Sequence, residues 1–273
     1  MAKIVVVAAA SHAPGIVAFK DQADPEQAGR FYEGMDRIAA AVRDARPDLI
    51  LAVTNDHYVN YYLDNVPAIC VGIASSYRGP VEAFMGEERE VPGDRPFAKS
   101  LLDSLLGNDF DVAYSEKLCF DHGTMVPLHF FNPDLALPVV PILVNNIYEP
   151  MPSPRRLHQL GLAISELVDE LPGDQRVALV ATGGLSHSVG TPSAGEIRAD
   201  FDEDFLAAVM RGEGSRLAEL SHRELESYGN GTHEIRNWLC AMGATGDVPA
   251  DFVVYEPVQA WATGCGAVVW GMN

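Results

Sequence analysis

Residues Arg176–Thr182 read RVALVAT and run straight into Gly183-Gly184-Leu185-Ser186-His187. The run is apolar throughout apart from its two ends and shows no alternation, so it predicts a strand buried on both faces. Ile4–Ala9 (IVVVAA) and Leu49–Thr54 (LILAVT) have the same character, and Ala68–Ile73 reads as a further strand. Pro138–Val144 (PVVPILV) is apolar and β-rich, although its prolines weaken it as a ladder strand. Shorter strands are expected at Asp111–Ser115 and Cys265–Trp270. Helical patterns lie between them. Asp24-Pro25 has the form of an N-cap followed by proline at N1 and opens a helix that ends before Pro47. Phe97–Leu106 is helical, and Ser153-Pro154 opens a helix to about Leu171 with a turn at Pro172-Gly173. Gly195–Arg211 and His233–Met242 complete the set, and Gly86–Pro96 reads as a surface loop. Doubly buried strands separated by helices predict an α/β three-layer sandwich: a central, mostly parallel or mixed sheet covered by helices on both faces. No linker, repeat or low-complexity tract interrupts the chain, so residues 1–273 read as one domain.

The 273 residues carry 19 Lys and Arg against 38 Asp and Glu, a formal net charge of −19. That charge argues against nucleic acid, whose phosphates select clustered cations, and against an anionic membrane surface. Apolar segments recur from end to end, which excludes a disordered chain. The apolar run near the N-terminus is too short to span a bilayer and too strand-like for a signal peptide. Cys70, Cys119, Cys240 and Cys265 form no C-x-x-C pair and read as buried thiols in a reducing compartment. A cytoplasmic protein is expected.

Four of the eight histidines sit just beyond expected strands. His12 follows the first in Ser11-His12-Ala13-Pro14-Gly15, and His57 follows the second in Asn55-Asp56-His57-Tyr58. His122 lies in Asp121-His122-Gly123, a little beyond Asp111–Ser115, and His187 follows Arg176–Thr182. Ligands of open α/β sheets bind beyond the carboxyl ends of the strands, so parallel strands would bring the four to one rim. Neutral imidazole is a transition-metal ligand, and its pKa near ~6.5 also suits proton transfer. A metal site needs an anionic ligand as well. The candidate is Glu234 in Gly229-Asn230-Gly231-Thr232-His233-Glu234-Ile235, where Thr232 reads as an N-cap; a first-turn carboxylate that favours the helix dipole is the alternative.

The other histidines carry less. His158 and His222 sit in polar helical contexts and are expected at the surface, while His129 is expected to pack. His233 and Glu234 are adjacent on a helix and point apart, so they do not share an ion. The H-E-x-x-H zinc motif is absent. No G-x-S-x-G elbow surrounds Ser186 or Ser188, and Gly183-Gly184 belongs to no phosphate-loop pattern.

These pieces together resemble the class III extradiol ring-cleaving dioxygenases, of the protocatechuate 4,5-dioxygenase β-subunit and 2,3-dihydroxyphenylpropionate dioxygenase type. The resemblance rests on Ser11-His12-x-Pro14, Asn55-Asp56-His57-Tyr58 and Asp121-His122-Gly123 with Val126-Pro127-Leu128. It continues through Gly183-Gly184-Leu185-Ser186-His187 and Thr232-His233-Glu234-Ile235 with Trp238. The order is the family's, and nearly the whole chain is spanned. The resemblance implies that His12, His57 and Glu234 ligate Fe(II), that His187 is the active-site base and that His122 is a second acid/base group. It implies a catecholic substrate, dioxygen as co-substrate, ring opening outside the two hydroxyls, and a homo-oligomer. Two histidines and one carboxylate on one face of an octahedral ion leave positions open, an arrangement associated with non-heme Fe(II) oxygen chemistry.

Asn55, Asp56 and Asp121 are candidates to orient the imidazole N–H groups, or for plain loop-turn roles. A zinc-dependent relative or a non-catalytic binding member of the fold are the competing readings. The substrate stays open among side-chain-bearing catechols, catechol, protocatechuate and aminophenols. A carboxylated one would need a local cation, for which Arg78 and Arg236 are the candidates.

Overall fold

A computed structural model describes residues 1–271. Its strands, in chain order, are β1 (Lys3–Ala10), β2 (Leu49–Thr54), β3 (Ile69–Gly72), β4 (Ser76–Gly79), β5 (Arg89–Pro92), β6 (Ala113–Ser115), β7 (Val139–Val144), β8 (Arg176–Thr182), β9 (Phe252–Val258) and β10 (Thr263–Gly271). Eight of them form one sheet in the order β6-β3-β7-β2-β8-β1-β10-β9, and β4 pairs with β5 in a separate ribbon. The centre of the sheet is parallel: β1 with β8, β8 with β2, and β2 with β7. Its margins reverse, with β10 antiparallel to β1 and β3 antiparallel to β7.

Successive residues of β1 enter opposite apolar layers. Val7 and Ala9 face one, while Val6, Ala8 and Ala10 face the other. The first layer is closed by Leu157, Leu160 and Ile164 of helix Pro154–Glu170 and by helix Ile235–Thr245. The second is closed by Phe31, Met35 and Ile38 of helix Pro25–Asp44. Burial on both faces explains why the central strands carry no polar alternation. The expected three-layer sandwich is therefore the fold. Among the described residues no helix is long and apolar enough to cross a membrane.

Local chemistry sets the helix starts. Asp24 accepts from the N–H groups of Glu26 and Gln27 with Pro25 at the first turn, and Ser153 accepts from Arg156 ahead of its helix. Pro141 is tolerated in the central strand β7 because the ladder to β3 stops at Val71 and Ile142, one residue short of it. Five elements differ from expectation. The segment Gly86–Pro96 contains β5, which pairs with β4. Strand β9 and helix His122–Phe131 carry no clear sequence period and were not expected. Helix Gly195–Arg211 is shorter, at Ala199–Met210. Residues Asn230–Glu234 form a 3-10 turn before helix Ile235–Thr245, and the Thr232 hydroxyl donates to the Tyr228 carbonyl instead of capping.

Candidate active site

The parallel neighbours β1, β8 and β2 end at the same edge of the sheet. The Gly183 N–H donates to the Ala10 carbonyl at 3.0 Å, which locks the first two exits side by side. His12, His57 and His187 leave from these three ends, as the sequence suggests. His122 arrives differently. Strand β6 pairs parallel to β3, which runs against β7, so β6 ends at the opposite edge. The segment after β6 carries the chain back, and His122 enters as the first residue of helix His122–Phe131. The four histidines and Glu234 line one cavity of about 730 Å³.

Hydrogen bonds fix the direction in which each ring presents its free nitrogen. His12 Nδ1 lies 3.0 Å from Thr182 Oγ1, and the Thr182 hydroxyl donates its single proton to Thr54 Oγ1 at 2.8 Å. Thr182 must therefore accept from His12, which places the proton on Nδ1 and the lone pair on Nε2. That Nε2 is 3.1 Å from Glu234 Oε2. Burial pushes the His12 pKa down, against the opposing pull of Glu234.

On His57, Nδ1 lies 3.1 Å from Asp121 Oδ2 and Nε2 3.3 Å from Glu234 Oε1. Burial works against charge on this ring, but the two carboxylates flanking it outweigh burial and push its pKa up to about 10. Asp121 responds in kind: burial raises it, yet His57 holds it down at about 2. Glu234 is buried too, but His12 and the neighbouring histidines hold its carboxyl well below the usual range. The Gly184 N–H donates to Glu234 Oε2 at 2.6 Å, and Asn55 Nδ2 lies 3.2 Å from Oε1.

Two imidazole nitrogens thus sit 3.1 and 3.3 Å from the two oxygens of one carboxylate. Ligand atoms at right angles on bonds of about 2.1 Å are roughly 3 Å apart, so the spacing and the donor set fit a divalent cation. The nitrogens of His12, His57 and His122 also lie within 4.8 Å of one another.

The other two rings are pinned through Nδ1. His187 Nδ1 is 3.0 Å from the Leu185 carbonyl, which can only accept, so Nε2 is bare in the neutral ring. It lies 3.9 Å from Glu234 Oε2. His122 Nδ1 is 2.6 Å from Glu82 Oε1, which also accepts the His122 backbone N–H, and its ring stacks on His57 with centroids 4.0 Å apart.

Of the three candidates for orienting groups, Asp121 and Asn55 touch His57. Asp56 instead accepts from the backbone of Val59, Asn60 and Tyr61, a loop-turn role. Sequence reasoning missed Glu82, because it comes from a loop forty residues away. It also missed Asp202, which accepts from the N–H and hydroxyl of Ser186 and so braces the turn that carries His187.

Several expectations are corrected. His158 is buried, not superficial, and lies 2.8 Å from Asp247. His129 is exposed on its helix instead of packed. His222 is half-buried, pairs with Glu149 at 2.7 Å and stacks on His233, which pairs with Glu226 at 2.6 Å. Those distances are hydrogen-bond lengths, and the Arg236 guanidinium lies 3.4 Å from His222, so this second cluster is held together by hydrogen bonds beside a fixed cation. His233 and Glu234 do point apart, as adjacent positions require. Neither candidate cation reaches the cavity: Arg78 pairs with Glu88 at the surface, and Arg236 donates to the Pro152 and His233 carbonyls.

The chain is similar to proteins of known name. A 2,3-dihydroxyphenylpropionate/2,3-dihydroxicinnamic acid 1,2-dioxygenase of Dechloromonas aromatica (strain RCB) is 28% identical, over 85% of this chain and 87% of its own. The enzyme of that name from Klebsiella pneumoniae (strain ATCC 700721 / MGH 78578) is 26% identical over 94% and 96%. The crystal structure of protein JW3007 from Escherichia coli K12 superimposes with a TM-score of 0.58 at 14% identity, covering 98% of this chain and all of that one, which supports the fold alone. The family model described as the catalytic LigB subunit of aromatic ring-opening dioxygenase matches residues 6–266. The chain belongs to this family, and its reaction is extradiol cleavage of a catechol ring.

Proposed function

We propose that the metal of this enzyme is Fe(II), held by His12 Nε2, His57 Nε2 and the Glu234 carboxylate, and that the substrate is a substituted catechol. The carrying observation is the convergence of those three groups, each oriented by a partner of its own: Thr182 for His12, Asp121 for His57 and Gly184 for Glu234. Bound there, Fe(II) would be chelated by the adjacent catechol oxygens and would relay electrons from the catecholate to dioxygen. His187, with its bare Nε2 beside Glu234, takes a catechol hydroxyl proton as the diol binds. The Leu185 carbonyl keeps that nitrogen the accepting one. His122 stands against His57, and Glu82 leaves its Nε2 as the atom available to the reacting oxygens. Each such transfer contributes about 10²–10⁴ in rate. The four free thiols, three of them buried, fit a reducing cytoplasmic compartment.

The test is anaerobic loading with Fe(II) or Zn(II), metal quantification, and aerobic turnover of a catechol panel, read as oxygen uptake and a yellow ring-fission product. Turnover with iron alone is expected. His12→Ala, His57→Ala and Glu234→Ala should lose metal and activity together, whereas His187→Ala and His122→Ala should keep stoichiometric iron and lose turnover. Loss of iron from either of the last two would refute this division of roles.

A further inference from the structure

Ring cleavage needs only the diol edge of a substrate, yet the cavity that holds the proposed ligands has a volume of about 730 Å³. Cavities of about 300–1,000 Å³ take ligands much larger than a single ring. A catechol bound at His12, His57 and Glu234 therefore leaves most of the space to a ring substituent. The large apolar side chains on the wall are Tyr58, Ile147, Met151, Val189 and Trp261. Among the described residues no lysine or arginine lines the cavity, and Glu149 and Glu226 are already bonded to His222 and His233.

Three of these apolar side chains keep open surface although their backbones are fixed. Val189 is 66% exposed, while the Asn230 side chain accepts from its N–H at 2.8 Å and donates to its carbonyl at 2.9 Å. Ile147 is half-buried, and Asn145 Oδ1 accepts from its N–H and from that of Tyr148. Tyr58 is 53% exposed, has a φ of 61° and stands edge-on to Tyr148 at 4.7 Å. The Tyr148 hydroxyl donates to the Tyr61 carbonyl, which ties together the loops that carry Tyr58 and Ile147. A left-handed tyrosine persists only where its surroundings over-determine it, and such residues cluster at ligand clamps. Rigidly held apolar surface around a cavity is surface for a ligand to bury.

Resting on the catechol-cleaving reading, we propose that the substrate carries an uncharged, apolar ring substituent that packs against Tyr58, Ile147, Met151 and Val189. A carboxylate substituent, like the one in the substrates for which the relatives are named, would lose hydration on this wall without gaining a cation.

The test uses pairs matched in shape and differing in charge: 3- and 4-(3-methylbutyl)catechol against 2,3- and 3,4-dihydroxyphenylpropionate, with unsubstituted catechol as the internal standard. The readouts are kcat/KM with the Fe(II)-loaded enzyme and anaerobic binding to it by calorimetry. At one ring position or both, the methylbutyl compound is expected to exceed its propionate partner and catechol about tenfold or more in both readouts. The Met151→Ser/Val189→Ser double variant, which keeps both backbone bonds to Asn230, should cut the methylbutyl-to-catechol ratio about fivefold or more. Equal or better binding of the propionates at both positions, or an unchanged ratio in the double variant, would overturn the proposal. If the catechols bind but consume no oxygen, the cleavage reading fails by itself, and the binding order still decides the substituent.

Discussion

Asp121 Oδ2 accepts from both the backbone N–H of His57, at 2.8 Å, and its ring Nδ1, at 3.1 Å. One carboxylate oxygen therefore fixes the position of the residue and the rotation of its imidazole, while Oδ1 caps helix His122–Phe131 through Gly123. Asp121→Asn isolates the first task, because asparagine caps helices about as well as aspartate. Metal affinity is expected to fall about 10–100-fold with little change in thermal stability. A competition titration against a chelator reads the first and a melting curve the second.

Gly231 lies against the ring of His187: a Cβ there would be 2.0 Å from Nε2, and one on Gly184 would be 2.4 Å from Cε1. The two glycines are the walls of the slot that holds His187. Gly231→Ala should displace the ring and lower kcat by about 10²-fold or more, with iron content unchanged. Metal quantification alongside steady-state kinetics distinguishes this from loss of the metal.

Glu82 reaches His122 from a separate loop, and its second oxygen is buried without a partner. Glu82→Gln keeps the shape but replaces a purely accepting group with an amide that can also donate to the imidazole. Turnover is expected to fall about tenfold, and the pH profile of kcat to change shape. An unaltered profile would reduce Glu82 to a packing role.

His233 is fully buried beside Glu226 and Arg236. Burial and then the Arg236 charge lower its pKa to about 4, with Glu226 opposing. An unfolded histidine titrates near ~6.5. Between those values the unfolded chain binds the extra proton, so stability contributed by this residue falls as pH falls from about 6.5 to about 4. The stability advantage of wild type over His233→Gln should shrink across that window by at most about 3 kcal/mol, at roughly 1.4 kcal/mol per unit. Denaturant melts at several pH values measure it, and a constant gap would refute it.

The apolar continuity of RVALVAT, LILAVT and IVVVAA determined by itself that the sheet is buried on both faces. The short polar segments after those strands determined where His12, His57 and His187 leave them. Glycine- and proline-bearing signals with a local cause, such as Asp24-Pro25 and Ser153-Pro154, also placed their helices correctly. Strand β9 and helix His122–Phe131 were not legible, since their residues follow no simple period and owe their form to neighbours distant in sequence. Only the tertiary structure decided that β1, β8 and β2 are adjacent and parallel, which turns three separate loops into one rim. It also decided the partners: Asp121 for His57, Glu82 for His122, Asp202 for Ser186, and Asn237 for Asn146. These pairs join residues up to 91 positions apart. Their selection depends on hydrogen-bond geometry of a few tenths of an ångström, which residue type and spacing along the chain do not encode.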